Sequence, residues 1–170
     1  TAYAMNLAGQ HNSAGRFHAW AAETICARSG IVESAIRKTH RGEALAAGDI
    51  LHTRYSVDGS ASDEDWPNNQ LDGFGTWLWA LEEYRRLSGV SLTGTQLQAA
   101  RLAADYIAAL WMRPCSDLWE EHPDRVHTYT LGAINAGLNA ASQTGAGDWS
   151  DETAAVREYI LTKCLHQGHF

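Results

Sequence analysis

Apolar side chains recur at helical spacing along most of this chain, and that periodicity restricts the possible folds more than any other feature. The clearest patterns predict helices over about residues 14–28, 70–87, 93–111, 127–141 and 150–164. A weaker helical pattern covers residues 31–37, and residues 50–57 alternate like a short strand. We therefore expect an all-α chain whose longest loops hold its unusual residues.

Local signals support the predicted helix ends. Gly89 follows the helix over residues 70–87, where a left-handed C-cap favours glycine, and Pro114 stops the next helix. The helix over residues 127–141 is expected to pack closely on several sides, because small residues are frequent in it, at Gly132, Ala133, Ala136, Gly137 and Ala140. An inner helix of a toroid would have that property, and so would a helix of an ordinary bundle.

Length and charge limit the classes of function. The 170 residues suit one domain with its own core. Thirteen Lys and Arg against twenty Asp and Glu give a formal charge of −7, which disfavours nucleic acid or an anionic membrane as partner. No apolar run approaches the roughly 20 residues that span a bilayer, so no membrane segment is expected.

The cysteines bear on the cellular location. The three cysteines, an odd number without CxxC spacing, make a disulfide framework improbable. This favours a reducing compartment, and we expect a cytoplasmic protein. The chain begins with Thr1 rather than Met, which leaves open an export signal upstream of it.

The acidic motif DLWEE, residues 117–121, is the strongest chemical signal in the loops. A glycosidase needs one carboxyl group that stays protonated near neutral pH, and a neighbouring negative charge or burial against an indole raises a carboxyl pKa. Glu120 and Glu121 lie beside Trp119, with Asp117 close behind, so two carboxylates could divide the work. The alternative is a solvated acidic loop before the dipole of the next helix.

A second polar cluster, DEDWPNNQLDG, occupies residues 63–73. Amides and carboxylates next to Trp66 are typical of a sugar-binding pocket. An Asx-rich turn with helix-capping residues is the alternative, and it accounts for Asp65, Asn68 and Asn69 better than for Trp66.

Other catalytic chemistries receive little support. His122 and His127 flank the acidic motif, but their spacing is not that of a helical metal site such as HExxH. Cys115 lies near His122, which makes a thiol nucleophile conceivable without further support. Neither a nucleophile elbow nor a phosphate-binding glycine loop occurs. We predict neither a metal ion nor a cofactor.

Taken together, four segments resemble glycoside hydrolase family fifteen, which contains the glucoamylases, the glucodextranases and related bacterial α-glucosidases. The matching segments, in family order and spacing, are residues 66–73, 77–81, 117–121 and 127–131. The spellings QLDGFGTWLWAL and VHTYTLGAINAGL look closer to bacterial members that act on α-1,6-linked, isomaltose-type substrates. The resemblance extends over nearly the whole chain.

The resemblance implies a six-hairpin (α/α) toroid and inversion of the anomeric configuration. It makes Glu120 the general acid that protonates the glycosidic oxygen. Trp119 and Glu121 would contact the innermost sugar, and Asp117 would influence the acid. The remaining positions that it implies as pocket-lining, supporting or substrate-contacting residues are Trp66, Asp72 and His127.

The chain also departs from the family pattern. An inverting enzyme needs a second carboxylate as base, and the resemblance puts this residue well beyond Phe170. The upstream Arg-Asp pair that grips the terminal sugar is absent, and the predicted helices are about half of a twelve-helix toroid. We therefore predict that residues 1–170 are a partial catalytic toroid domain, completed by the remainder of the same polypeptide or by a second chain.

The expected function is an exo-acting, inverting hydrolase that releases glucose from non-reducing ends of α-gluco-oligosaccharides. An α-1,4 glucoamylase or a trehalase of the same family is an alternative. A non-catalytic helical domain could instead use Trp66 and Trp119 as sugar platforms. A toroidal epimerase or lyase is a further alternative, although such enzymes rely on histidine or tyrosine bases and the paired glutamates argue against it.

Overall fold

The computed structural model describes residues 1–62, 66–165 and 167–169, and these residues form an all-α structure. The helices are α1 (Ala2–Leu7), α2 (His11–Cys26), α3 (Ser29–His40), α4 (Asp72–Ser88), α5 (Gly94–Leu110), α6 (Thr128–Thr144) and α7 (Ser150–Lys163). A 3₁₀ turn covers Ala47–Asp49. The predicted all-α class is confirmed. None of the helices in the described part is long and apolar enough to cross a membrane.

The strand predicted for residues 50–57 is wrong. Within the described ranges, this segment makes only an isolated bridge, between Tyr55 and Ala61. Side chains of the helices hold it instead: the Tyr106 hydroxyl accepts from Leu51 N at 3.3 Å, and Trp20 Nε1 donates to the Val57 carbonyl at 2.9 Å. Alternating side chains did not produce a strand here because the described part of the chain offers no neighbouring strand to pair with.

The helix ends follow the local signals closely. Gly89 ends α4 in the left-handed region at φ 70°, as predicted. Thr93 and Gln96 cap α5 reciprocally, with Thr93 Oγ1 accepting from Gln96 N and Gln96 Oε1 accepting from Thr93 N. The six-residue α1 escaped prediction because it is too short to show a helical period.

The helices pack in two layers. α4 lies between α1 and α6, and these three helices form one row. α2, α5 and α7 pack against that row, and α3 lies beside α5. The core between the layers is mainly apolar, with fully buried side chains at Leu78, Leu81, Tyr106, Ile107 and Leu138.

The α4–α6 contact depends on glycine. A Cβ atom on Gly75 would run into the backbone of Ala133 and Ile134, and one on Gly137 would lie 2.5 Å from the Cα atom of Gly75. The close packing predicted for α6 is therefore confirmed at Gly137. It does not extend to Gly132, where an added Cβ would meet open space.

Candidate active site

Two long loops meet at one end of the helical layers. Residues 41–71 lead into α4, and residues 111–127 lead into α6. Asn69 ties them together: its carbonyl accepts from Ser116 N at 2.9 Å, and its Nδ2 donates to the Pro114 carbonyl at 2.9 Å. The two polar clusters of the sequence are therefore neighbours in space.

Asp117 organises the acid loop, which we define as residues 117–121. Its Oδ1 accepts from the backbone N–H groups of both Trp119 and Glu121 at 2.9 Å. The backbone closes the same loop, because Asp117 N donates to the Glu121 carbonyl and Glu120 N donates to the Asp117 carbonyl. The loop is thus a hydrogen-bonded turn built on one carboxylate.

The charge of Asp117 suits that role. The Glu121 N–H holds the pKa of Asp117 below its usual range, and the Trp119 N–H and the nearby imidazoles of His127 and His122 act in the same direction. Asp117 is therefore a stable acceptor at neutral pH.

Glu120 lies at the outer edge of the turn. Its backbone is left-handed at φ 65°, a conformation that L-residues other than glycine adopt at a cost of roughly 1–2 kcal/mol. Its side chain and that of Glu121 are exposed, and Trp119 is 79% exposed. The described residues do not supply the apolar enclosure expected around the acid, so any enclosure must come from elsewhere.

The pKa of Asp72 is shifted in the opposite direction to that of Asp117. It is buried in the first turn of α4, and its Oδ1 has no hydrogen-bond partner among the described residues. Burial raises its pKa, the Asp117 charge adds to this, and the N–H groups of Asp72 and Gly73 oppose it. Two nearby carboxylates are thus held in different electrostatic environments.

Cys115 lies between these groups and carries a protonated thiol. Burial is the main cause that raises its pKa to about 11, and the charges of Asp72 and Asp117 contribute. A nucleophile must be the thiolate, so this environment argues against the thiol chemistry considered from the sequence. Cys26, Cys115 and Cys164 are all free.

His127 and Trp66 are held by contacts of their own. His127 is the residue before α6, and its Nε2 donates to the His122 carbonyl at 3.0 Å, which closes the turn after the acid loop. The Trp66 ring stacks beneath the Arg54 guanidinium, 4.3 Å from the ring centroid. In the described ranges, no three His, Cys, Asp or Glu side chains are arranged to hold a metal ion. The carboxylates at residues 63–65 lie outside the described residues.

An aromatic groove, which the sequence pattern does not predict, lies beside this loop cluster. It has a volume of about 490 Å³. Its lining residues are Phe17, Trp20, Ala21, Thr24, Ile25, His52, Thr53, Arg54, Tyr55, Gln70, Gly73, Phe74 and Trp77. Phe17, Trp20 and Trp77 lie in segments with helical periodicity, which does not distinguish a core-facing side chain from a groove wall.

Comparison with known proteins places this geometry in a family. The family model of glycosyl hydrolases family 15 matches residues 1–170. The isomaltose glucohydrolase of Kribbella flavida is 35% identical over 176 residues, which cover 99% of this chain and 46% of that protein. A probable glucoamylase of Schizosaccharomyces pombe is 29% identical over 133 residues, covering 73% of this chain and 29% of that protein.

Solved structures agree with the sequence relatives. A wild-type glycosidase superposes with a TM-score of 0.89 at 34% identity, covering 99% of this chain and 47% of that chain. A glycosidase in complex with glucose matches with the same values. This chain therefore spans about half the length of the relatives, and the predicted all-α part of a toroid is confirmed. On these matches and the motifs that preceded them, the chain belongs to glycosyl hydrolases family 15.

Proposed function

We propose that this chain supplies the acid half of the active site of an exo-acting, inverting α-glucoside hydrolase, with Glu120 as general acid. The observation that carries the proposal is the acid loop itself. In a member of this family, a turn closed by Asp117 presents Glu120 next to an exposed indole. Family membership and a relative solved with glucose support the substrate class.

Each group of the acid loop has a distinct task in this proposal. Glu120 protonates the glycosidic oxygen as the bond to the leaving sugar breaks. The flat face of Trp119 contacts the apolar face of the innermost glucose, and Glu121 accepts hydrogen bonds from its hydroxyls. Asp117 fixes the backbone from which all three project.

The reaction requires a second carboxylate, which we place outside residues 1–170. In an inverting hydrolase it lies about 6.5–9.5 Å from the acid and takes a proton from the attacking water. The remainder of the same polypeptide would complete the toroid and bring that base, as well as the enclosure that Glu120 lacks here.

Isomaltose-type α-1,6 glucosides are the substrates we favour. The isomaltose glucohydrolase of Kribbella flavida matches 99% of this chain at 35% identity. An α-1,4 specificity is the second candidate, supported by the probable glucoamylase of Schizosaccharomyces pombe, whose match is shorter and weaker.

Substitution of Glu120 tests the proposal in the full-length protein. Glu120→Gln should lower kcat on isomaltose by about 10²-fold or more, because proton transfer by a positioned acid contributes about 10²–10⁴-fold, and KM should change little. Asp124→Asn, an exposed carboxylate just outside the acid loop, is the matched control. Glu120→Gln retaining more than a tenth of the activity would overturn the assignment.

The product and substrate range complete the test. Inversion predicts β-glucose as the first product, observed by NMR before mutarotation, whereas α-glucose would mean a retaining mechanism. Parallel assays on isomaltose, maltose and trehalose determine the linkage, and no hydrolysis of any of them would favour a sugar-binding domain.

A further inference from the structure

One asparagine holds the chain at the place where it leaves the core to form the acid loop. We define residues 114–116, which lie between α5 and the acid loop, as the neck. The Asn69 carbonyl accepts from Ser116 N, and Asn69 Nδ2 donates to the Pro114 carbonyl, both at 2.9 Å. We propose that Asn69 is a positioning residue of the reaction, which holds Glu120 where it can protonate the glycosidic oxygen. This inference rests on the proposed function.

The side-chain hydrogen bond of Asn69 has only one possible direction. The Pro114 carbonyl can only accept, so the NH₂ group of the amide, rather than its oxygen, must face the neck. The contact therefore requires a donor on the side chain of residue 69. A side chain of the same shape that lacks the donor would place an oxygen against an oxygen.

Asn69 is itself fixed to the helical layers. It lies three residues before Asp72, the first residue of α4, and the intervening Leu71 is fully buried in the core. The neck residues Cys115 and Ser116 are buried as well. The two hydrogen bonds therefore join two packed segments, and the neck takes its position from the start of α4 as well as from α5.

The turn beyond the neck needs support, because two of its backbone conformations are unfavourable. Glu120 and His122 are both left-handed, at φ 65° and φ 47°. Residues other than glycine keep this conformation only where the surrounding structure holds the chain in it. Asp117 closes the acid loop from within, and Cys115 N donates to the Arg125 carbonyl at 3.1 Å across the base of the turn. The neck contacts tie this closed turn to α4.

Proton delivery depends steeply on the position of the acid. A displacement of about 1 Å can cost roughly 10²-fold in rate. The Glu120 side chain is exposed, so its placement depends on the backbone of the acid loop rather than on packing around the carboxyl group. Loss of the side-chain bond from Asn69 to the neck should therefore slow reactions that need a proton from Glu120 more than reactions that do not.

Two substrates with different leaving groups test this role in the full-length protein. Isomaltose needs a proton on its glycosidic oxygen, whereas α-glucosyl fluoride releases a fluoride ion that leaves without one. Glu120→Gln should therefore slow the hydrolysis of isomaltose far more than that of the fluoride. Asn69→Asp should lower kcat on isomaltose about tenfold and change the ratio of the two kcat values in the same direction by at least fivefold. A ratio measured on one preparation does not depend on how much of the protein is folded.

Asn68→Asp is the matched control, because it introduces the same charge one residue away. Asn68 Oδ1 accepts from Thr53 N and Thr53 Oγ1, at 3.3 and 3.4 Å, and a carboxylate can accept both bonds. The ratio of this variant should stay within about twofold of that of the parent protein. Asn69→Ala removes the donor without adding a charge and should reproduce the effect of Asn69→Asp.

The Glu120→Gln variant separates this inference from the proposed function. If Glu120→Gln shifts the ratio and neither variant of Asn69 does, Asn69 is not a positioning residue and the hydrolase assignment stands. A shift in Asn69→Asp that Asn69→Ala lacks, or that Asn68→Asp shares, assigns the effect to the added charge and also overturns the inference. If Glu120→Gln leaves the ratio unchanged, the acid assignment is wrong and the role of Asn69 falls with it.

Discussion

Among single residues, Asp117 of the acid loop and the neighbouring Asp72 lie in different electrostatic environments. Asp117 is a charged acceptor for two backbone N–H groups, and its environment lowers its pKa. Asp72 is buried, and its environment raises its pKa. The sequence shows both only as acidic residues near a tryptophan. Their environments distinguish a loop-forming carboxylate from a buried one.

Removing the acceptor at Asp117 should damage catalysis through the loop. Asp117→Ala loses both hydrogen bonds to the loop backbone, and because such bonds contribute about 1.5–3 kcal/mol when charged, we expect kcat on isomaltose to fall about 10–100-fold. Asp117→Asn keeps a carbonyl acceptor and should lose less. Equal losses of kcat in the two variants would show that catalysis depends on the negative charge of Asp117 rather than on the hydrogen-bonded turn.

His18 makes stability depend on pH. It is fully buried against Phe17 and Tyr84, and neither ring nitrogen has a hydrogen-bond partner among the described residues; burial lowers its pKa from 6.5 to about 4. The unfolded chain therefore binds a proton more readily, so stability is full above pH 6.5 and falls as the pH drops towards 4. The loss between pH 7 and pH 5 is about 2 kcal/mol.

Urea unfolding at the two pH values measures this effect. His18→Leu, which cannot be protonated, should remove about that 2 kcal/mol of pH dependence. A variant with the same pH dependence as the parent protein would show that other groups are responsible.

At the scale of elements, the meeting of α4 and α6 determines where the two loops end. Both helices begin at the loop cluster, with Asp72 and Thr128 as their first residues. Gly75 and Gly137 lie where the two helices meet, and they allow the two backbones to touch directly. The position of Asp72 relative to the acid loop therefore depends on the lack of a side chain at Gly75 and at Gly137.

Alanine substitutions separate that contact from helix propensity. Gly75→Ala drives a Cβ atom into the backbone of α6, which cannot move aside, so we expect a loss of about 3 kcal/mol in the free energy of unfolding. Gly132→Ala meets open space and should stabilise by up to about 1 kcal/mol. Thermal unfolding of both variants would show opposite shifts in Tm, and a neutral Gly75→Ala would contradict the close contact.

At the scale of the whole molecule, the acid loop stands open. Trp119 and Glu120 are exposed at the end of two helical layers, and the chain matches about half the length of its relatives. A closed pocket around a sugar would need walls on the far side of the acid loop.

This arrangement predicts that the 170-residue chain alone is inactive. If the base lies outside residues 1–170, as proposed, hydrolysis of isomaltose by this chain should fall below detection, while the full-length protein is expected to release β-glucose. Comparable rates from the chain alone would place the base within residues 1–170.

Local sequence patterns were sufficient to predict the long helices and to identify the family. The bounds of α4, α5 and α7 were predicted closely, because apolar residues recur over several helical turns in each. Gly89 at the end of α4 and Thr93 at the start of α5 also act through local contacts. The ordered motifs, including residues 117–121, identified the family that the comparisons confirm. Local chemistry is enough for such features, since it does not depend on what lies across the fold.

The arrangement of those motifs was visible only in the folded structure. The burial of Asp72 and the position of residues 52–55 in a groove wall depend on contacts between distant parts of the chain. The groove between α2 and α4 arises because helices approach at particular places, and a periodic pattern does not encode such distances. The motif makes Glu120 the proposed acid, and its exposed position became apparent only from the fold.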